Sequence, residues 1–143
     1  REAVDGALVV TGDSDGPETA RAAMAACGAD APMIGRAACG RPWLPGAVGR
    51  VLRGEAPIEA PRGAALADLV VEHHEAMLLH HGLAVGLRAA RKHLDWYLDA
   101  AVADQGLRVE EAARRALLTC EDPRRVGEQV RNIFTDDLER RAA

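Results

Sequence analysis

Two stretches of this chain join glycine to a charged residue at the point where an apolar run gives way to a helical pattern. Thr11-Gly12-Asp13 follows Gly6-Ala7-Leu8-Val9-Val10, and Gly35-Arg36 follows Ala31-Pro32-Met33-Ile34. The chemistry that suits this pattern is anion binding. Glycine lets the backbone approach a phosphate, nearby amide N–H groups can point at it, and arginine adds a charged, forked donor. The competing reading is that both glycines only make tight turns. A third group, Arg88, Arg91, Lys92 and His93, is basic, and the spacing i, i+3, i+4 puts its first three members on one side of a helix. Such a face can neutralise nucleic-acid phosphates. It can equally be a solvated face paired with Asp95 and Asp99.

Other reactive side chains are less suggestive. His73-His74 and His80-His81 lie seven residues apart, not at the i, i+4 spacing that lets one helix chelate zinc, and Glu72 and Glu75 do not complete a site. Helix packing and a solvated face account for them, and no metal is expected. Cys27, Cys39 and Cys120 form no C-x-x-C pair, and three is an odd number for a disulfide framework. They read as small buried or half-buried residues of a protein from a reducing compartment.

The rest of the chain must position these groups. With 143 residues, 48% hydrophobic and 28% charged, it has the composition of a soluble globular protein of one core or two small ones. No apolar run is long enough to span a bilayer. The start, Arg1-Glu2-Ala3-Val4, has neither an initiator Met nor a signal-peptide pattern and reads as a cut through a longer protein. A net charge of −4 does not by itself point to nucleic acid, so that role has to rest on local clustering.

Before residue 60 or so, short apolar strands alternate with helices. Gly6 to Val10 reads as a buried strand. Ser14-Asp15-Gly16-Pro17-Glu18 starts a helix through Thr19–Ala26, which Gly28 ends. Ala31–Ile34 is a second strand, and Pro42 opens a helix with Leu44, Val48, Val51 and Leu52 at helical spacing. Parallel strands with helical connections need both sheet faces covered, and two strands do not suffice. This portion is therefore expected to belong to a larger α/β barrel or open sheet. Gly54 to Gly63 holds Pro57 and Pro61 and reads as a linker. Beyond it four helices are expected. The first turns Leu66, Leu69, Val70, His73 and Met77 to one face and breaks at Gly82, and the second runs from Val85 to about Ala101 with Leu87, Leu94, Tyr97 and Leu98 inward. The third spans Val109 to Leu118, and the fourth starts at Asp122-Pro123 and carries Val126, Val130, Ile133 and Phe134. Short connections favour an antiparallel bundle. The fold class is α/β plus all-α.

Three segments carry a family resemblance. Gly28-Ala29-Asp30-Ala31-Pro32-Met33-Ile34-Gly35-Arg36-Ala37-Ala38, followed by Gly40-Arg41-Pro42-Trp43, resembles the G-A-D-x-x-M-I-G-R-A-A-x-G-x-P-W signature of tRNA-dihydrouridine synthases. Thr11-Gly12-Asp13 stands where that family has Asn-Gly-Asp, and Arg88-Ala89-Ala90-Arg91-Lys92-His93-Leu94-Asp95-Trp96-Tyr97 resembles its R-x-A-R-K-H-x-x-W-Y helix. The resemblance implies the last two βα units of an FMN-binding TIM barrel over residues 1–55 and a helical tRNA-binding domain, a four-helix bundle, over 62–143. The implied activity is reduction of uridine to dihydrouridine in tRNA with NADPH or NADH, by a monomeric cytoplasmic enzyme. Carried over by position, Thr11, Gly12, Asp13, Gly35 and Arg36 would hold the FMN phosphate, and Arg88, Arg91 and Lys92 would contact tRNA. Thr11 keeps a hydroxyl but lacks the amide of the family's Asn. The family's catalytic cysteine belongs to an earlier barrel loop, so no catalytic residue is assigned here and the chain alone is expected to be inactive. Two alternatives are a non-catalytic helical RNA-binding module with a structural βα remnant, and the end of a barrel from another flavin or sugar-phosphate enzyme. The Lys92-His93 and Trp96-Tyr97 helix argues against the latter.

Overall fold

The computed structural model describes residues 5–142, with side chains through Thr135. Arg1-Glu2-Ala3-Val4, read above as a cut, lies outside the described residues. The elements in order are β1 (Val9–Thr11), α1 (Pro17–Cys27), β2 (Ala31–Met33), a 3-10 turn (Arg36–Ala38), α2 (Leu44–Leu52), α3 (Gly63–His81), α4 (Leu83–Gln105), α5 (Glu111–Thr119) and α6 (Pro123–Ala142). They fall into two compact units, Arg1–Ala60 and Pro61–Ala143.

In the first unit β1 and β2 pair in parallel, with Val9 opposite Ala31 and Thr11 opposite Met33. Asp30 sets this register: its N–H donates to the Leu8 carbonyl at 2.8 Å, and its carboxylate accepts from the Leu8 N–H at 2.9 Å. Pro32 sits in β2, where a missing N–H is tolerable because both strands are edges. The first strand departs from expectation. It is three residues long and not buried, with Val9 52% exposed and Met33 of the partner strand 48% exposed. Among the described residues the sheet has only two strands, and α1 is the helix that packs on both of them. Pro42 also does not open a helix. Arg41, Pro42 and Trp43 form a turn closed by a bond from the Leu44 N–H to the Arg41 carbonyl, and Pro45 occupies the first turn of α2 instead.

The second unit is helical throughout. Helix α3 packs against both α4 and α6, and α5 packs against α4 and α6. Contact with two helices widens the buried band of α3 beyond a single stripe: Ala67, Val71 and His74 are buried with Leu66 and Val70, while Leu69, His73 and Met77 are half-buried. Gly82 breaks α3 from α4 as its position suggested. It holds φ +75°, a conformation that favours glycine. The second helix is longer than its apolar spacing indicated, because its first and last turns at Leu83 and Gln105 extend past the core. Leu87, Leu94, Tyr97 and Leu98 all point inward, and Val126, Val130 and Phe134 of α6 complete the packing.

Candidate functional site

Parallel pairing makes the carboxyl ends of β1 and β2 leave the same edge of the sheet. The loop after β1 and the 3-10 turn after β2 meet there, around a cavity of about 210 Å³ lined by Gly12, Asp13, Ser14, Asp15, Arg36 and Ala37. The Arg36 guanidinium spans the two loops and donates to Asp13 Oδ1; both side chains are highly exposed. Of the five residues singled out for phosphate binding, Gly12, Asp13 and Arg36 line the cavity. Thr11 and Gly35 flank it, at the end of β1 and just ahead of the 3-10 turn. A Cβ built on Gly12 or Gly35 would meet nothing within 4 Å, so internal packing does not require glycine at either position.

The loop into α1 is held by Thr19. Its hydroxyl accepts from the N–H groups of Asp15 and Gly16, at 3.1 Å each, and donates to the Asp15 carboxylate at 2.9 Å. This bracing is local, so the sequence signal for a helix start already contained it. The signal did not show that Ser14, 5% exposed, would be buried against the cavity. The cavity side chains include two carboxylates and one guanidinium. Asp15 is engaged by Thr19 and Asp13 by Arg36, which leaves the Ser14 hydroxyl, Arg36 and backbone N–H groups as donors for an anion. None of the cysteines lines this cavity. Cys27 ends α1 with its thiol against the Ala23 carbonyl, and Cys39 and Cys120 follow the 3-10 turn and α5. Among the described residues, no His, Cys, Asp and Glu group is placed to hold a metal. No helix among them is long and apolar enough to cross a membrane.

The basic residues of α4 are not equivalent. Arg88 and Lys92 are exposed, whereas Arg91 is half-buried, its Nε has no hydrogen-bond partner and its Nη2 lies 3.7 Å from Glu121. Asp95 and Asp99 do not neutralise this face. Both accept from Arg114 of α5, at 2.5 and 2.7 Å, and these bonds, with Asp99 first, hold the guanidinium pKa above its ordinary value. Lys92 Nζ sits 4.8 Å above the Trp96 ring. The His93 ring meets Trp96 on one side and His73 on the other, each edge-on at 5.1 Å. His73 Nδ1 shares a 3.0 Å hydrogen bond with the Tyr97 hydroxyl, whose pKa burial pushes up to about 12. Burial is also the main reason that His74 and His93 titrate below the ordinary histidine range. Of the histidines that the sequence left to packing and surface, His73 and His74 form part of the α3–α4 interface, while His80 and His81 are exposed and meet each other edge-on at 4.6 Å.

The family model for dihydrouridine synthase (Dus) matches residues 1–139. A protein of Rhodobacter capsulatus described as "Probable tRNA-dihydrouridine synthase" is 38% identical over 136 residues, 95% of this chain and 40% of its own length. One of the same description from Rhizobium leguminosarum bv. phaseoli is 40% identical over 131 residues, 91% of this chain and 38% of its own. A "tRNA-dihydrouridine synthase B" of Xanthomonas axonopodis pv. citri is 43% identical over 90 residues, 63% of this chain and 27% of its own. The chain spans about two-fifths of the length of the first two relatives. The family match spans residues 1–139, a range that holds the strand-end glycines, the Gly-Arg turn and the basic α4 helix, and the chain belongs to the dihydrouridine synthase family.

Proposed function

We propose that this chain works within an FMN-dependent enzyme that reduces uridine to dihydrouridine in tRNA, with NADPH or NADH as reductant. The observation that carries the reading is the family match over residues 1–139. The α/β unit corresponds to the last two βα units of a TIM barrel, residues 1–55, and the cavity at its strand ends suits the flavin phosphate. That fit rests on Gly12, which leaves the backbone face bare, on the Arg36 guanidinium and on Ser14, which lines the cavity. Asp13 contributes its backbone N–H and holds Arg36 across the two loops, while Thr11 and Gly35 shape the strand ends. When bound, the flavin supplies the hydride that saturates the uracil C5–C6 double bond. The ring also needs a proton donor, and the resemblance puts the family's catalytic cysteine on an earlier barrel loop, so the chain by itself is expected to give no turnover.

Residues 62–143 are read as a four-helix tRNA-binding domain of a monomeric, cytoplasmic enzyme. Arg88 and Lys92 are its freest phosphate contacts, because Asp95 and Asp99 are taken by Arg114. The full-length protein, given FMN and NADPH or NADH, should form dihydrouridine in unmodified tRNA; no product with either reductant would reject the assignment. Binding across a salt series tests the RNA face. Replacing Arg88 and Lys92 by Ala should lower the slope of log affinity against log salt by about 1.4–1.8. Adding Arg91→Ala should change it much less, and identical slopes for wild type and the double variant would move the RNA interface elsewhere.

A further inference from the structure

Two hydroxyls bracket Gly12-Asp13, and the structure treats them differently. Thr11 is exposed and outside the cavity, while Ser14 is 95% buried by its 5% exposure and lines it. Among the described residues, no hydrogen bond engages the Ser14 hydroxyl, although every other polar side chain of the lining has a partner: Asp13 has Arg36, and Asp15 has Thr19. The residue is buried, but its hydroxyl stays accessible from the cavity, so a ligand there can accept from it. Ser14 also stands three residues ahead of Pro17, the first residue of the 11-residue helix α1, so the positive end of that helix dipole lies beside it.

We propose that Ser14 is a phosphate-binding residue of this cavity, its hydroxyl donating to an oxygen of the flavin's phosphate monoester. The inference rests on the reading that the cavity holds that phosphate. Its chemical logic is electrostatic. A phosphate arriving here meets the carboxylates of Asp13 and Asp15, so each lining side chain able to donate counts, and only Arg36 and Ser14 can. Arg36 offers charge but is highly exposed and shared with Asp13, so solvent screens it. Ser14 offers a neutral donor from a buried position, where the bond is less screened. A carboxylate at this position would add a third negative charge, and an alanine would leave the phosphate with one side-chain donor.

The test is flavin affinity of the full-length protein for FMN and for riboflavin, which has the same ring system without the phosphate. Ser14→Ala should weaken FMN binding by roughly tenfold or more, the usual worth of a hydrogen bond to a charged group, and leave riboflavin binding unchanged. Equal loss for both flavins would show a structural role for Ser14, and no loss for either would show that the hydroxyl does not reach the phosphate; each overturns the proposal. Arg36→Ala separates it from the reading beneath. If Arg36→Ala weakens FMN selectively and Ser14→Ala does not, only the Ser14 assignment fails. If neither variant distinguishes FMN from riboflavin, or the wild-type protein binds no FMN, the phosphate site itself fails. Ser14→Thr, which keeps the donor, should retain more FMN affinity than Ser14→Ala.

Discussion

The two units divide the work of folding very unequally. Among the described residues up to Ala60 the buried apolar side chains are Ala20, Ala29 and Val48, all small, and both strands of the sheet show apolar residues to solvent. From Pro61 onward the core holds Leu66, Leu98, Leu117 and Phe134 among many others, gathered from all four helices. Each fully buried Leu or Phe contributes about 1.5–3 kcal/mol, whereas a buried alanine contributes far less. The helical unit therefore has the apolar content to stabilise itself. The α/β unit does not, and the candidate cavity sits on the weaker half. Closing a binding site with two loops demands geometry more than stability, and here one helix packed on two short strands provides that geometry.

The largest effect that would break this contrast is folding of the separated halves. The unit from Pro61 to Ala143 should be helical by circular dichroism and unfold cooperatively in urea, while the unit from Arg1 to Ala60 should show no cooperative transition. A cooperative transition in the first half would refute the inequality. Next in size is a cavity in the helical core. Leu98 is fully buried, and Leu98→Ala should lower the stability of that unit by about 2–5 kcal/mol in urea titrations. The equivalent change in the first half, Val48→Ala, should leave the main transition where it is.

Gly86 marks the tightest helix contact of the second unit among the described glycines. A Cβ there would stand 2.8 Å from Leu78 Cα and 3.0 Å from the Met77 carbonyl oxygen, so α3 and α4 touch backbone to backbone at this point. Gly86→Ala gains helix propensity but overpacks the contact, and a net loss of about 1–2 kcal/mol is expected from the shift in urea midpoint. The smallest effect is pH dependence. His74 and His93 have folded pKa values below their unfolded ones, so the unfolded chain takes up protons first as pH falls. Stability should be full above about pH 6.5, the unfolded histidine value, and decline as the pH drops through it towards the lower folded values. His74→Leu should flatten that acid-side decline; an unchanged profile would show that His74 does not titrate on unfolding.

The helical half was the more legible of the two. Its periodicity marked Leu87, Leu94, Tyr97, Leu98, Val126, Val130 and Phe134, all of which are buried, because an amphipathic helix writes its inner face into its own sequence. His74 escaped this reading. It lies between α3 and α4 beside His73, His93 and Tyr97, and spacing along one helix cannot show how wide a band its neighbours cover. In the first half the apolar run at Gly6 to Val10 suggested a buried strand, yet burial depends on layers supplied by other segments. Two residues that line the cavity, Ser14 and Asp15, looked only like a helix start, because the same residue types serve caps and ligand loops.

The amino-acid sequence carries the family in the spacing of its glycines, arginine and proline between Gly28 and Trp43. It also determined the order of strands and helices, since those follow from local spacing and from proline and glycine positions. Which residues share a surface depends on contacts between distant segments. Parallel pairing of Thr11 with Met33 placed Asp13 beside Arg36 across 23 residues of chain and turned Ser14, not Thr11, to the cavity. Packing of α5 on α4 took Asp95 and Asp99 out of reach of the basic face by giving them Arg114. Contacts between segments distant in sequence arise from packing that no short window encodes, and they decide whether a charged side chain is free to meet a ligand.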